Sequence, residues 1–137
     1  MNAVHAYRRQ HGEIAATINT LSELLRDQDA VSRTFDIRAV LNELSSKLDD
    51  HLALEDRVLY PRLLEHGDAR VRAAAAELQG ELSGLHAVCD QYFAAWSSVS
   101  TIAARFHTFR FETRAVMARL QDRMRREDEE LGPALEQ

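Results

Sequence analysis

An all-α fold, arranged as an antiparallel up-down-up-down four-helix bundle, is predicted by three features of this chain. Apolar residues recur at alternating steps of three and four through four long segments. Short polar or glycine-bearing breaks separate those segments. Only five Gly and two Pro punctuate 137 residues, too few turn-formers for a succession of short strands. The whole chain, 1–137, reads as a single domain, long enough to enclose a substantial core.

The first element is expected from Ala3 to Arg26, on the stripe Val4, Tyr7, His11, Ile14, Ile18, Leu21 and Leu25. A polar break follows, from Asp27 to Thr34. The second element begins near Asp36, whose carboxylate suits the first turn of a helix. Its stripe is Ile37, Leu41, Leu44, Leu48, His51, Glu55 and Val58, and it runs to about Tyr60. It continues toward Gly67 if Pro61 kinks or restarts it. The third element runs from Ala69 to Trp96 on Val71, Ala75, Leu78, Leu82, Leu85, Cys89, Tyr92 and Trp96, with His86 flanking the seam. Gly80 and Gly84 either weaken this helix or let a neighbour approach closely. The fourth runs from about Thr101 to Leu131 on Phe106, Phe109, Thr113, Val116, Leu120, Arg123 and Glu127, and Gly132-Pro133 stops it. Four helices of similar length joined by short loops make antiparallel neighbours. Their three-four spacing favours small crossing angles.

Charge and composition exclude several classes of function. The net charge is -5, with Lys47 the one lysine and the arginines scattered. There is no basic excess to neutralise phosphates, so no nucleic-acid partner is expected. No apolar run approaches bilayer-spanning length, and the first residues lack a signal-like apolar segment. A cytoplasmic protein without a membrane partner is therefore expected. Cys89 is the sole cysteine and lies on a seam, where it reads as a small buried hydrophobe.

Polar residues interrupt the seams, and burying them is costly unless something satisfies them. His51 and Glu55 stand one turn apart within the stripe of the second helix. His11, His86 and Glu127 sit on or beside the other stripes. In an up-down bundle, His11 lies roughly 12 Å from the shared end, His51 and Glu55 roughly 15 and 9 Å, and Glu127 roughly 9 Å. These heights define one layer, with His86 somewhat deeper in its segment. Four helices that each aim a metal-ligand residue type at one core imply a bound cation. His5, His66 and His107 do not share that level and read as solvated or locally satisfied. Tyr7, one turn before His11, reads as packing with its hydroxyl in reach of the layer.

Other chemistries fit less well. No histidine has a Glu three residues before it, as ferritin-like metal pairs require. There is no H-E-x-x-H helix, no Ser/His/Asp arrangement and no glycine-rich phosphate loop. The expectation is a protein that is not an enzyme.

The order His11, then His51-Leu-Ala-Leu-Glu55 followed by Tyr60-Pro61, then His86, then Arg123-Met-Arg-Arg-Glu127, resembles the hemerythrin-like (HHE cation-binding) domain family across the whole chain. That resemblance implies a four-helix bundle holding two irons near one end. Two carboxylates bridge the irons, histidines complete their shells, and room remains for dioxygen or a related small ligand. Carried over, His11 and His51 would hold one metal, Glu55 and Glu127 would be the bridging carboxylates, and His86 would belong to the second metal.

This chain departs from the pattern at Arg123, where the family has a histidine. It also has one histidine rather than two at the third helix, so the second metal position is left with a single histidine. Two carboxylates facing one another in a core cannot both ionise without cations nearby. One divalent ion plus a guanidinium suited to bidentate pairing would offset them. The expectation is thus one iron rather than two, with zinc or nickel possible, in a sensor, store or small-ligand binder. The alternative is a metal-free helical scaffold or interaction module in which Arg123 replaces the metal charge.

Overall fold

The computed structural model describes residues 3–136, so Met1, Asn2 and Gln137 of the expected domain lie outside the described residues. Among the described residues there is no strand. Helix α1 spans Ala3–Arg26, with Arg26 placed favourably in its last turn. A 3-10 turn (Ala30–Arg33) leads into α2 (Thr34–Leu54). Helix α2 passes through a π-turn (Glu55–Leu59) straight into α3 (Tyr60–Leu64). Helix α4 spans Ala69–Ala95 and starts at Asp68, whose carboxylate accepts the N–H of Arg70. The fourth arm is α5 (Val99–Ala104), capped by Ser98, then α6 (Phe106–Glu130) and the short α7 (Gly132–Leu135). No helix among the described residues is long and apolar enough to cross a membrane.

Two local expectations are corrected. Val58 was expected on the seam, but it is 41% exposed, and Leu59 and Tyr60 are buried instead. The cause is the π-turn, in which the N–H of Tyr60 bonds to the carbonyl of Glu55, five residues back. Pro61 lacks an N–H and its ring would press on the carbonyl four residues earlier, and a widened turn relieves that clash. The extra residue advances the stripe by one position. Second, the fourth helix is not continuous from Thr101. It breaks at Arg105, whose guanidinium lies 5.3 Å over the ring of Trp96, while α5 buries Ile102. Of the two readings of Gly80 and Gly84, close approach is not the one realised, since no neighbour among the described residues lies close to where a Cβ would stand.

The helices alternate in direction. His11, near the start of α1, meets His51 near the end of α2 and Glu127 near the end of α6. The early residues of α4, Ala75, Leu78 and Leu82, pack with Tyr7, Leu59, Leu63 and Leu131. Helices α1 and α4 thus run one way, and α2–α3 and α6 the other. The core comprises two apolar clusters. The larger one includes Ile14, Ile18, Leu21, Leu41, Leu44, Leu48, Leu85, Trp96, Phe109 and Leu120. The smaller one holds Tyr7, Leu59, Tyr60, Leu63, Leu78, Leu82, Leu131 and Leu135. Burying each such aliphatic side chain contributes about 1.5–3 kcal/mol. Between the clusters lies a polar layer. Its seam positions are His11 on α1, His51 and Glu55 on α2 and the π-turn, and Arg123 and Glu127 on α6, all buried.

Candidate metal centre

The layer is built by helical spacing. His51 and Glu55 are four residues apart, as are Arg123 and Glu127, so each pair stacks on one face of its helix. His11 Nε2 and His51 Nε2 face each other at 3.0 Å. Glu127 Oε1 lies 3.3 Å from His11 Nε2 and 3.8 Å from His51 Nε2. Glu55 Oε1 is 3.0 Å from His51 Nε2. His11, His51 and Glu127 each present a ligand atom, all within 4.8 Å of one another.

The remote ring nitrogens define the tautomers. His11 Nδ1 lies 2.9 Å from Asp128 Oδ1, and His51 Nδ1 lies 3.0 Å from Gln10 Oε1. Both partners are acceptors, so both Nδ1 atoms donate. When neutral, each ring then turns its Nε2 lone pair toward the same point. Two lone pairs 3.0 Å apart repel unless a positive charge stands between them.

Glu127 is held from the other side. Tyr60 Oη donates to Glu127 Oε2 at 2.9 Å, and Arg123 Nη2 donates to Tyr60 Oη at 2.6 Å. Arg123 Nε stands 3.4 Å from Glu127 Oε2. Arg123 therefore points inward and is buried. Buried Glu55 Oε2 and Glu127 Oε1 make no hydrogen bond among the described residues.

The electrostatics follow from this crowding. Burial opposes a charged His51, but hydrogen bonds and charge from Glu127 and Glu55 outweigh it and push the imidazole up to about 9. Burial, aided by a hydrogen bond to Glu127, pushes Glu55 up to about 8. Burial also works against an ionised Glu127, yet the polar groups of Glu55, His11 and His51 crowded against it hold it well below the usual carboxylate range. Without a metal, protons on His51 and Glu55 take the place of a cation. Burial, reinforced by the charges of Glu127 and Glu55, keeps the Tyr60 hydroxyl protonated.

The remaining residues singled out in the sequence stand elsewhere. His86 is half-buried beside the seam of α4, outside the His11–His51–Glu127 group, and its buried Nε2 makes no hydrogen bond among the described residues. The α4 seam passes from Leu82 to Leu85 without a polar step, so α4 contributes apolar walls to the layer. His5 and His107 are exposed, and His66 Nδ1 accepts the N–H of Asp68 in the turn before α4. Cys89 is buried, and burial pushes its thiol up to about 11, so it behaves as a small apolar group. Three contributors escaped sequence reasoning: Gln10, Asp128 and the Tyr60 hydroxyl. Gln10 and Asp128 carry no periodic signal, although each adjoins a layer residue. Tyr60 figured in the sequence only as the end of the second stripe and as part of the Tyr60-Pro61 motif, with no role for its hydroxyl.

The donor set fits a divalent first-row metal. Ligands about 2.0–2.2 Å from such an ion stand roughly 3.0–3.5 Å apart around it. The atoms facing His51 Nε2 and His11 Nε2 lie at 3.0, 3.0, 3.3 and 3.8 Å. His11, His51 and Glu127 would hold the ion, with Glu55 beside them.

Fold and cluster together define a helical-bundle domain with buried histidines and carboxylates that could hold a cation. The chain belongs to the hemerythrin HHE cation-binding domain family, whose model matches residues 2–135. No curated protein and no solved structure matched the chain.

Proposed function

We propose that this chain binds a single divalent metal ion through His11, His51 and Glu127, with Glu55 adjoining, as a sensor, store or small-ligand binder and not as an enzyme. The observation that carries this reading is the convergence of two Nε2 lone pairs and a carboxylate oxygen on one buried point. Iron is the first choice, with zinc or nickel as alternatives, because imidazole suits all three. Arg123 and Tyr60 fill the position where a second metal would stand, and His86 is then not needed as a ligand. One divalent ion plus one guanidinium already outweighs two carboxylates, so a second cation would only add to the surplus of positive charge. Bound in this layer, the ion would supply a Lewis-acidic centre with room for a small ligand. His11 and Asp128 line two surface grooves of about 530 and 370 Å³, which lead a small molecule such as dioxygen to the edge of the layer.

Metal analysis after anaerobic iron(II) loading tests the stoichiometry. One ion per chain is expected, lost in His51→Ala. Two ions per chain would contradict the role given to Arg123. No ion under any loading condition would favour the second reading, a metal-free scaffold or interaction module. That reading is supported by the Arg123–Tyr60–Glu127 chain of contacts, which already gives Glu127 a positive partner.

A further inference from the structure

The two contacts that orient the histidine rings share a pattern. Gln10 adjoins His11 on α1, and Asp128 adjoins Glu127 on α6. Consecutive helical residues point about 100° apart, so one of each pair faces the layer and the other reaches its edge. Helix α6 thereby supplies the acceptor for His11 of α1, and α1 supplies the acceptor for His51 of α2. Helices α1 and α6 thus each offer a layer residue and, beside it, the partner of a histidine on another helix.

We propose that Gln10 and Asp128 are positioning residues of the metal centre, which lock His51 and His11 with Nε2 turned inward. This inference rests on the metal-binding reading above. A ligating imidazole whose other nitrogen donates to an acceptor is fixed in tautomer and rotation and becomes a stronger donor. The two partners are unequal. Asp128 is a carboxylate, so it strengthens His11 more than the neutral amide of Gln10 strengthens His51. Asp128 Oδ1 also accepts from Tyr7 Oη at 3.2 Å, and the Tyr7 ring packs 4.2 Å from the ring of His11. Tyr7 thus buttresses the same histidine twice. Asp128 is more than half exposed, so its contacts contribute little to folding itself. Its effect should fall on the metal.

Cobalt(II) titrated into the full chain tests this, with visible absorption reporting geometry and competition with a chelator reporting affinity. The unmodified protein should bind one cobalt(II), and failure to bind it would overturn the metal-binding reading itself. Asp128→Ala and Gln10→Met, which remove the acceptors, should each weaken cobalt(II) binding about 10–100-fold and shift the visible band. Gln10→Glu keeps an acceptor and should restore or exceed normal affinity. The metal-free melting temperatures of all three variants should match the unmodified protein. If the unmodified protein binds cobalt(II) and both acceptor-deleted variants bind it equally well with the same band, the positioning role is overturned. An affinity loss matched by an equal loss of metal-free stability, with the band unchanged, would overturn it too.

Discussion

Arg123 is the residue whose environment departs furthest from its type. It is a permanent cation inside the core, 3.4 Å from the Oε2 of Glu127 and hydrogen-bonded to Tyr60. Removing one partner of a buried ion pair leaves the other uncompensated, at about 3–5 kcal/mol. Arg123→Met should therefore lower the metal-free melting temperature sharply, and an unchanged midpoint would show that Glu127 does not depend on it. The titrating residues set a pH dependence. Without a metal, His51 is raised from 6.5 to about 9 and Glu55 from 4.5 to about 8. A group raised in the folded state contributes stability that is fully present below its unfolded value and lost as pH rises through its folded value. Glu127 is held low, so its contribution is present above its unfolded value of 4.5 and lost in acid. The melting temperature of metal-free protein should fall as pH rises from about 4.5 through about 9, and fall again in acid below about 4.5. A flat alkaline limb, measured by circular dichroism, would contradict the stacked protons on His51 and Glu55.

At the scale of elements, the π-turn does the positioning. It lets Glu55 stay in the layer while Tyr60 and Leu63 also turn inward. Deleting Val58, which is exposed, would restore an ordinary helical pitch with Tyr60 and Leu63 still facing the core, but it would press the Pro61 ring against the carbonyl one turn back. The expected loss is about 3 kcal/mol, as for a proline inside an ordinary helix. Val58→Ser, which leaves the pitch alone, should stay within about 0.5 kcal/mol of the unmodified protein. Denaturant melts showing the two variants alike would refute the role of the extra residue. Helix α4 carries the opposite kind of feature. Gly80 and Gly84 are helical, exposed and free of close neighbours. Replacing either with Ala should raise stability by about 0.5–1 kcal/mol. A destabilised variant would mean that the glycine serves a contact outside this chain.

Over the whole molecule, a polar layer divides two apolar clusters, so the metal site and the core share the same helices. A ligand that binds only the folded state stabilises it by mass action, about 2.7 kcal/mol at one hundred times Kd. Metal should accordingly raise the melting temperature of the unmodified protein in a concentration-dependent way. His51→Ala should abolish that increment, because it removes the nitrogen that faces both His11 and Glu55. A metal-dependent rise that survives in His51→Ala would place the ion elsewhere.

The sequence by itself determined the helices and the level of the polar layer. Three-four periodicity is a local property, and Ile14, Ile18, Leu41, Leu44, Leu82 and Leu120 all reach the core from it. The seam positions of His11, His51, Glu55 and Glu127 were legible for the same reason, and their heights followed from a constant rise per residue. Tertiary structure alone decided the rest. Whether Arg123 turned inward or outward depended on which partner lay across the bundle, and Tyr60 and Glu127 settle it. The inward turn of Tyr60 depended on a π-turn that no periodic pattern announces. The orienting roles of Gln10 and Asp128 arise between helices remote in sequence, and side chains at the edge of a layer leave no trace in hydrophobic spacing. His86 shows the converse limit: a residue beside a seam can match a family's order and still stand outside the group, because a step of one residue turns a side chain about 100° around its helix.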